Sequence, residues 1–195
     1  MQLRNTPREK LLHAILYFAS NVKNPSKIKI FKLLYFFNFE HFRNTGQSVT
    51  NLDYYAFDFG PVPKEFYQEI NENRVPSDFL PYLTIIPFTS EESGKKGGMF
   101  EVKKKPDLTI FSPRQQKILE KLAFTFKDVD AGLISDVSHF KNHLWDRTIK
   151  EKGKFSKIDY LLAIDEDAKI SAEDAHELLR EKQEMYNNFP PSSTI

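Results

Sequence analysis

His139 and His143 stand four residues apart, the spacing that puts two imidazoles on one helix face where they could share a metal ion. Asp136 and Asp146 flank them and could complete a ligand set, but Asn142 stands where a zinc-protease helix would carry its general-base Glu. The acidic stretch "DEDAKISAEDAHE" fails as a calcium loop. Counted from Asp165, its fifth position is Lys169, its sixth is Ile170 in place of Gly, and its twelfth is His176 in place of Glu. "SGKKGG" has glycines and lysines without the strand-to-helix frame that cradles a phosphate, and reads as a hairpin tip. The absence of Cys removes thiolate ligands, thiol nucleophiles and disulfides together, and favours a reducing compartment. No P-loop, dinucleotide fingerprint or nucleophile elbow is present. These residues predict no catalytic side chain, no cofactor and no metal. An enzyme assembled from dispersed polar groups would have His139 as its first candidate.

Net charge is +1, so no bulk field draws the chain to nucleic acid or lipid. The charge is unevenly spread. Residues 141–157 hold six basic residues (Lys141, Arg147, Lys150, Lys152, Lys154, Lys157) against Asp146 and Glu151. Residues 159–177 hold seven acids against Lys169. Adjacent runs of opposite sign read as solvated faces that pair with each other. A nucleic-acid role for 141–157 would have only Trp145 and Phe155 for stacking, so nucleic acid is not the expected partner.

The elements that must carry these residues are mostly helical. "TPRE" offers Thr6 as N-cap, Pro7 at N1 and Glu9 at N3, opening an amphipathic helix in place of a signal peptide, so a cytoplasmic protein without a membrane span is expected. A second helix runs from about Ser26 to Asn44 with Gly46 as its stop, and Ile28, Phe31, Tyr35, Phe39 and Phe42 form its main stripe. Leu33, Leu34, Phe36 and Phe37 fill most of the other side, which makes this the core helix. Alternation over 54–59 predicts a strand with Tyr55, Phe57 and Phe59 inward and Tyr54 and Asp58 outward. Gly60-Pro61-Val62-Pro63 then predicts a rigid junction, with Gly60 at positive φ and Pro63 at N1 of a helix to about Asn73. Residues 82–88 and 99–105 form a hairpin, with Pro87 and the lysines guarding its edge. Further helices start at Ser112 and Asp130, run near 156–163, and extend from Ser171 to about Asn188. The fold class is α+β, a predominantly helical single domain with a small antiparallel sheet.

The rigid junction suggests a place for a partner to dock. Tyr54, Asp58, Lys64 and Tyr67 mix aromatic and charged groups there, the composition found at interface centres. The charged 141–177 region is the alternative surface.

Three stretches, "KIKIFKLLYFFNFEHFRNTG", "YYAFDFGPVPKEFY" and "ISDVSHFKNHLWDRT", together resemble the SocA-like domain, also called the Panacea domain, of bacterial and phage-encoded proteins. The matching features are Lys-Leu-Leu-Tyr (Lys32 to Tyr35), Gly46, Ala56 with Phe59-Gly60-Pro61-Val62, and Ser138-His139 followed by Trp145. Phe57 and Phe59 stand where Trp and Tyr are common in that family. The resemblance covers about residues 11–150, which suggests a domain over 1–155 and a C-terminal helical extension, 156–195, packed on it. It implies structural roles for Gly60, Pro61, Val62, His139 and Trp145. It also implies a non-enzymatic antitoxin that binds and neutralises a protein toxin, often one that blocks translation and in some pairs one similar to alarmone synthetases. One branch of the family delivers its toxin to a protease, so a proteolytic adaptor is the alternative, and a nucleic-acid-binding regulator a further one.

Overall fold

Helix α2 (Lys27–Thr45) lies at the centre because it is apolar on nearly every side. The computed structural model describes residues 6–90, 94, 96–139 and 144–188. Ser26 caps α2 by accepting the Lys29 N–H, and Gly46 ends it at φ 69, a left-handed position that a side chain would strain. One apolar cluster joins Ile30, Leu33, Leu34 and Phe37 of α2 to α1 (Pro7–Asn21), α4 (Pro113–Thr125) and α5 (Ala131–Ser138). A second gathers Tyr35, Phe39 and Phe42 with Tyr54, Ala56, Ile158 and Ala163. Phe36 and Leu52 touch both clusters, so α2 is the wall between two halves of one core.

Strands β1 (Tyr54–Phe57) and β2 (Gly60–Pro63) form a tight antiparallel hairpin, with Tyr54 opposite Pro63 and Phe57 opposite Gly60. The chain at 155–158 lies along the other edge of β1. Tyr55 pairs with Lys157, and the Ala56 and Ile158 N–H groups bond to Ser156 and Tyr54 carbonyls. A second hairpin, β3 (Leu83–Thr89) with β4 (Lys96–Val102), pairs Leu83 with Val102 and covers the first cluster through Leu83, Ile85 and Phe100. Among the described residues, seven α-helices and two small antiparallel sheets make the fold α+β and mostly helical, as the sequence predicts. Among the described residues no helix is long and apolar enough to cross a membrane.

Several expectations need correction. The β1 register is reversed: Tyr54 and Ala56 point inward and Tyr55 and Phe57 stand half-exposed outside. Tyr54 has no accessible surface, and its hydroxyl accepts a hydrogen bond from the buried Asn38 amide at 3.1 Å. Gly60–Pro63 is a strand and not a loop, and Pro63 is the N-cap of α3 (Lys64–Glu69) and not its first residue. That helix stops early and a 3-10 turn follows (Asn71–Asn73), with Glu72 and Asn73 at positive φ. The segment expected as a helix near 156–163 is extended beside β1 and then a 3-10 turn (Tyr160–Ala163). The opposite charge runs do not pair with each other among the described ion pairs. Lys154 binds Asp58, Lys157 binds Asp53, and Arg43 of α2 takes Asp165 and Asp167.

Candidate functional site

Lysine inside an apolar helix is costly, and α2 buries two of them three residues apart. Lys29 donates to the carbonyls of Lys23 and Lys127, tying together two chain turns. Lys32, only 1% exposed, donates to the Pro61 carbonyl at 3.0 Å. The one cause acting on the Lys32 amine is burial, which lowers it from its usual 10.5 to about 7.

Two further side chains hold the same hairpin. Trp145, at the start of α6 (Leu144–Lys152), donates its indole N–H to the Phe57 carbonyl at 2.8 Å. The His139 ring, at the end of α5, is hydrogen-bonded to the Phe59 backbone and stacks on Trp145. Burial is the main cause lowering its basicity, with the Lys32 charge adding to it and the Phe59 bond opposing. Its Nε2 is buried and has no partner among the described residues, so the bonded nitrogen is Nδ1. Three helices thus grip alternate residues of one hairpin: α6 at 57, α5 at 59 and α2 at 61.

Gly60 makes this convergence possible. It has φ 96, and a Cβ there would lie 2.5 Å from His139 Nε2, 2.6 Å from Lys32 Nζ and 2.7 Å from Ser138 Oγ. Only glycine accepts both the backbone angle and the crowding. Pro61 gives up no hydrogen bond that the hairpin needs, since its carbonyl and not its nitrogen is the group that Lys32 holds. With Lys32 and Gly60 buried, this cluster fixes the hairpin backbone.

The outer side of the hairpin carries the residues expected to dock a partner, with one exception. Asp58 and Lys64 are exposed, Tyr67 is 40% exposed, and Tyr54 is not on the surface at all. In place of Tyr54 stand Tyr55 and Phe57, the pair expected inside. Lys64 Nζ lies 5.1 Å above the Tyr55 ring, and Asp58 is bonded to Lys154 at 2.6 Å. Val62 is half-buried on this side, and Trp145 is half-buried beneath the turn.

His143 lies outside the described residues, and with it the i,i+4 pair that the sequence offers with His139. Among the described residues no group of three His, Asp or Glu could hold a metal ion. Sequence reasoning passed over Lys32 as a functional residue although it lies in the Lys-Leu-Leu-Tyr stretch. A lone cation amid "IFKLLYFF" was the available signal, because a lysine there must find a buried acceptor. Asn38 was missed as well. Its Oδ1 accepts from the Val49 and Thr50 N–H groups and the Thr50 hydroxyl, which fixes the loop leading into β1.

The comparison with curated proteins gives no match, and neither does that with solved structures. A family model does match, that of the antitoxin SocA-like Panacea domain, over residues 30–146. This span begins within the core helix, ends one residue past Trp145 and contains every member of the clamp: Lys32, Gly60, Pro61, Ser138, His139 and Trp145. By that match over more than half its length, the chain belongs to the SocA-like antitoxin family defined by the Panacea domain.

Proposed function

We propose that this protein is the antitoxin of a toxin–antitoxin pair and neutralises a translation-blocking toxin by direct binding, without catalysis. Family membership carries this reading. The clamp supports it physically, because Lys32, His139 and Trp145 spend buried polar groups on rigidity and leave a preorganised hairpin facing outward. Preorganisation lowers the ordering cost of association, the feature a stoichiometric inhibitor needs. The function requires the same compartment as the toxin's target, which places both proteins in the cytoplasm.

The test is co-expression. The protein encoded by the adjacent reading frame, induced alone, is expected to stop growth and protein synthesis. Induced with this chain, it is expected to be silent and to co-purify with it in fixed ratio. Rescue that disappears in cells lacking an ATP-dependent protease would favour the adaptor mechanism. Growth arrest that this chain does not relieve would refute the proposal.

A further inference from the structure

We infer that the outer face of the β1 hairpin docks an apolar patch rimmed by carboxylates on the protein partner, with Phe155 as the anchor. The inference rests on the antitoxin reading above and assigns its surface and its partner's chemistry.

Phe155 is held in an uncommon conformation. Its φ is 63, in the left-handed region that bulky residues avoid. The cause is a bulge: the Phe155 N–H bonds to the Ala56 carbonyl while the Ser156 carbonyl accepts the Ala56 N–H, so two residues oppose one on β1. Glycine or asparagine would sit there with less strain. The strained backbone puts an aromatic ring outward, 56% exposed, where folding gains little from it. The ring meets Phe57 edge-on at 5.1 Å, and Phe57 lies 6.4 Å from the Tyr67 ring. Phe155, Phe57 and Tyr67 therefore form one continuous aromatic ridge, and Phe59 at the hairpin turn adds a side chain 68% exposed. Exposed aromatics joined in this way resemble the centre of an interface more than scattered surface residues do.

The rim is cationic. Lys64 lies over Tyr55, and Lys154 and Lys157 border the ridge, so three lysines stand there against Asp53 and Asp58. Asp53 and Asp58 pair with Lys157 and Lys154, and Lys64 has no ion pair among the described residues. Complementary charge favours a partner with acidic residues around an apolar centre. Phe124 supplies the contrast: it is 85% exposed on α4 and has none of the described ring contacts.

The experiment compares Phe155→Asn, Lys64→Glu and Phe124→Ser in the full chain. Binding to the protein of the adjacent reading frame is measured by calorimetry at low and high salt, with growth rescue alongside. Asparagine tolerates positive φ, so Phe155→Asn should melt at or above the wild-type temperature and yet bind at least about tenfold more weakly. Lys64→Glu should weaken binding at low salt and reduce its salt dependence. Phe124→Ser should behave as wild type. A folded Phe155→Asn variant that binds and rescues like wild type overturns the inference and leaves the antitoxin reading standing. If the wild-type chain itself neither binds nor rescues, both fall. Tight binding of fluorescent oligo-dT that Phe155→Asn abolishes would also overturn the inference, by assigning the face to single-stranded nucleic acid.

Discussion

The His139 imidazole stacks on the Trp145 indole with ring centroids 4.3 Å apart and planes 27° from parallel. The stack joins the end of α5 to the start of α6, and each ring separately holds the hairpin backbone. Trp145→Phe keeps an aromatic surface for His139 but deprives the Phe57 carbonyl of its donor. It should cost about 1–2 kcal/mol. Trp145→Ala removes the stack as well and should cost about 3 kcal/mol or more. Urea unfolding of both variants checks the difference, and equal losses would mean that the hydrogen bond alone matters.

Gly60 and Gly153 both have positive φ, but only Gly60 is crowded. A Cβ at Gly60 meets His139, Lys32 and Ser138, whereas nothing lies within 4 Å of a Cβ at Gly153. Gly153→Ala should therefore cost only the backbone term, about 1 kcal/mol. Gly60→Ala should cost about 2–4 kcal/mol, because polar side chains of the clamp must move with it. Thermal melts of the pair measure this, and equal shifts would show that the clamp yields easily.

Lys32 makes stability depend on pH in a definite direction. Burial lowers its amine from 10.5 to about 7, and the groups facing it are His139, Ser138 and the Pro61 carbonyl, with no carboxylate among the described residues to offset the burial. Between about pH 7 and 10.5 the unfolded chain binds a proton that the folded chain does not. Stability from this group therefore rises with pH across that window, at most by roughly 1.4 kcal/mol per unit. Below about pH 7 both states are protonated and the cost is fully present. His139 is also lowered by burial, so it adds a loss of the same sign as pH falls below its ordinary range. Lys32→Met should flatten the rise above pH 7. A wild-type profile no steeper than the variant's would show that Lys32 keeps its ordinary basicity.

How far the sequence could be read depended on where the periodic signal was strong. α2 was legible in full, since Ser26, Gly46 and an apolar surface on every side fix its ends and its central place. Gly60 at positive φ was legible too, because a glycine before two prolines has few other uses. The facing of β1 was not. "YYAFDF" is aromatic on both sides, so alternation could not choose a register, and the buried Asn38 amide decided it by taking the Tyr54 hydroxyl. That decision turned Tyr55 and Phe57 outward and removed Tyr54 from the docking set. Phe155 was equally hidden, because its bulge depends on pairing with β1 about a hundred residues earlier, a contact that local pattern does not encode.

The C-terminal region should divide into a part the fold requires and a part it does not. Tyr160 stacks on Phe39 at 4.2 Å with planes 8° apart, and its hydroxyl donates to the Leu52 carbonyl. Ile158 and Ala163 are buried in the same cluster. α7 (Ala172–Asn188) follows, and Ala175 is its one buried residue among those described, with Leu179 packed at the cluster's edge and Lys182 donating to Asn51. Tyr160→Ala empties the space between Phe39 and Phe42 and leaves the Leu52 carbonyl without its donor, and should cost about 3–5 kcal/mol. Among the described residues, removing the segment from Ala172 onward gives up one small buried side chain and partial contacts, and should cost about 2 kcal/mol or less. Urea midpoints of the two proteins, together with amide exchange in α2, read the difference directly. A truncated chain less stable than Tyr160→Ala would make α7 part of the core and not a covering over it.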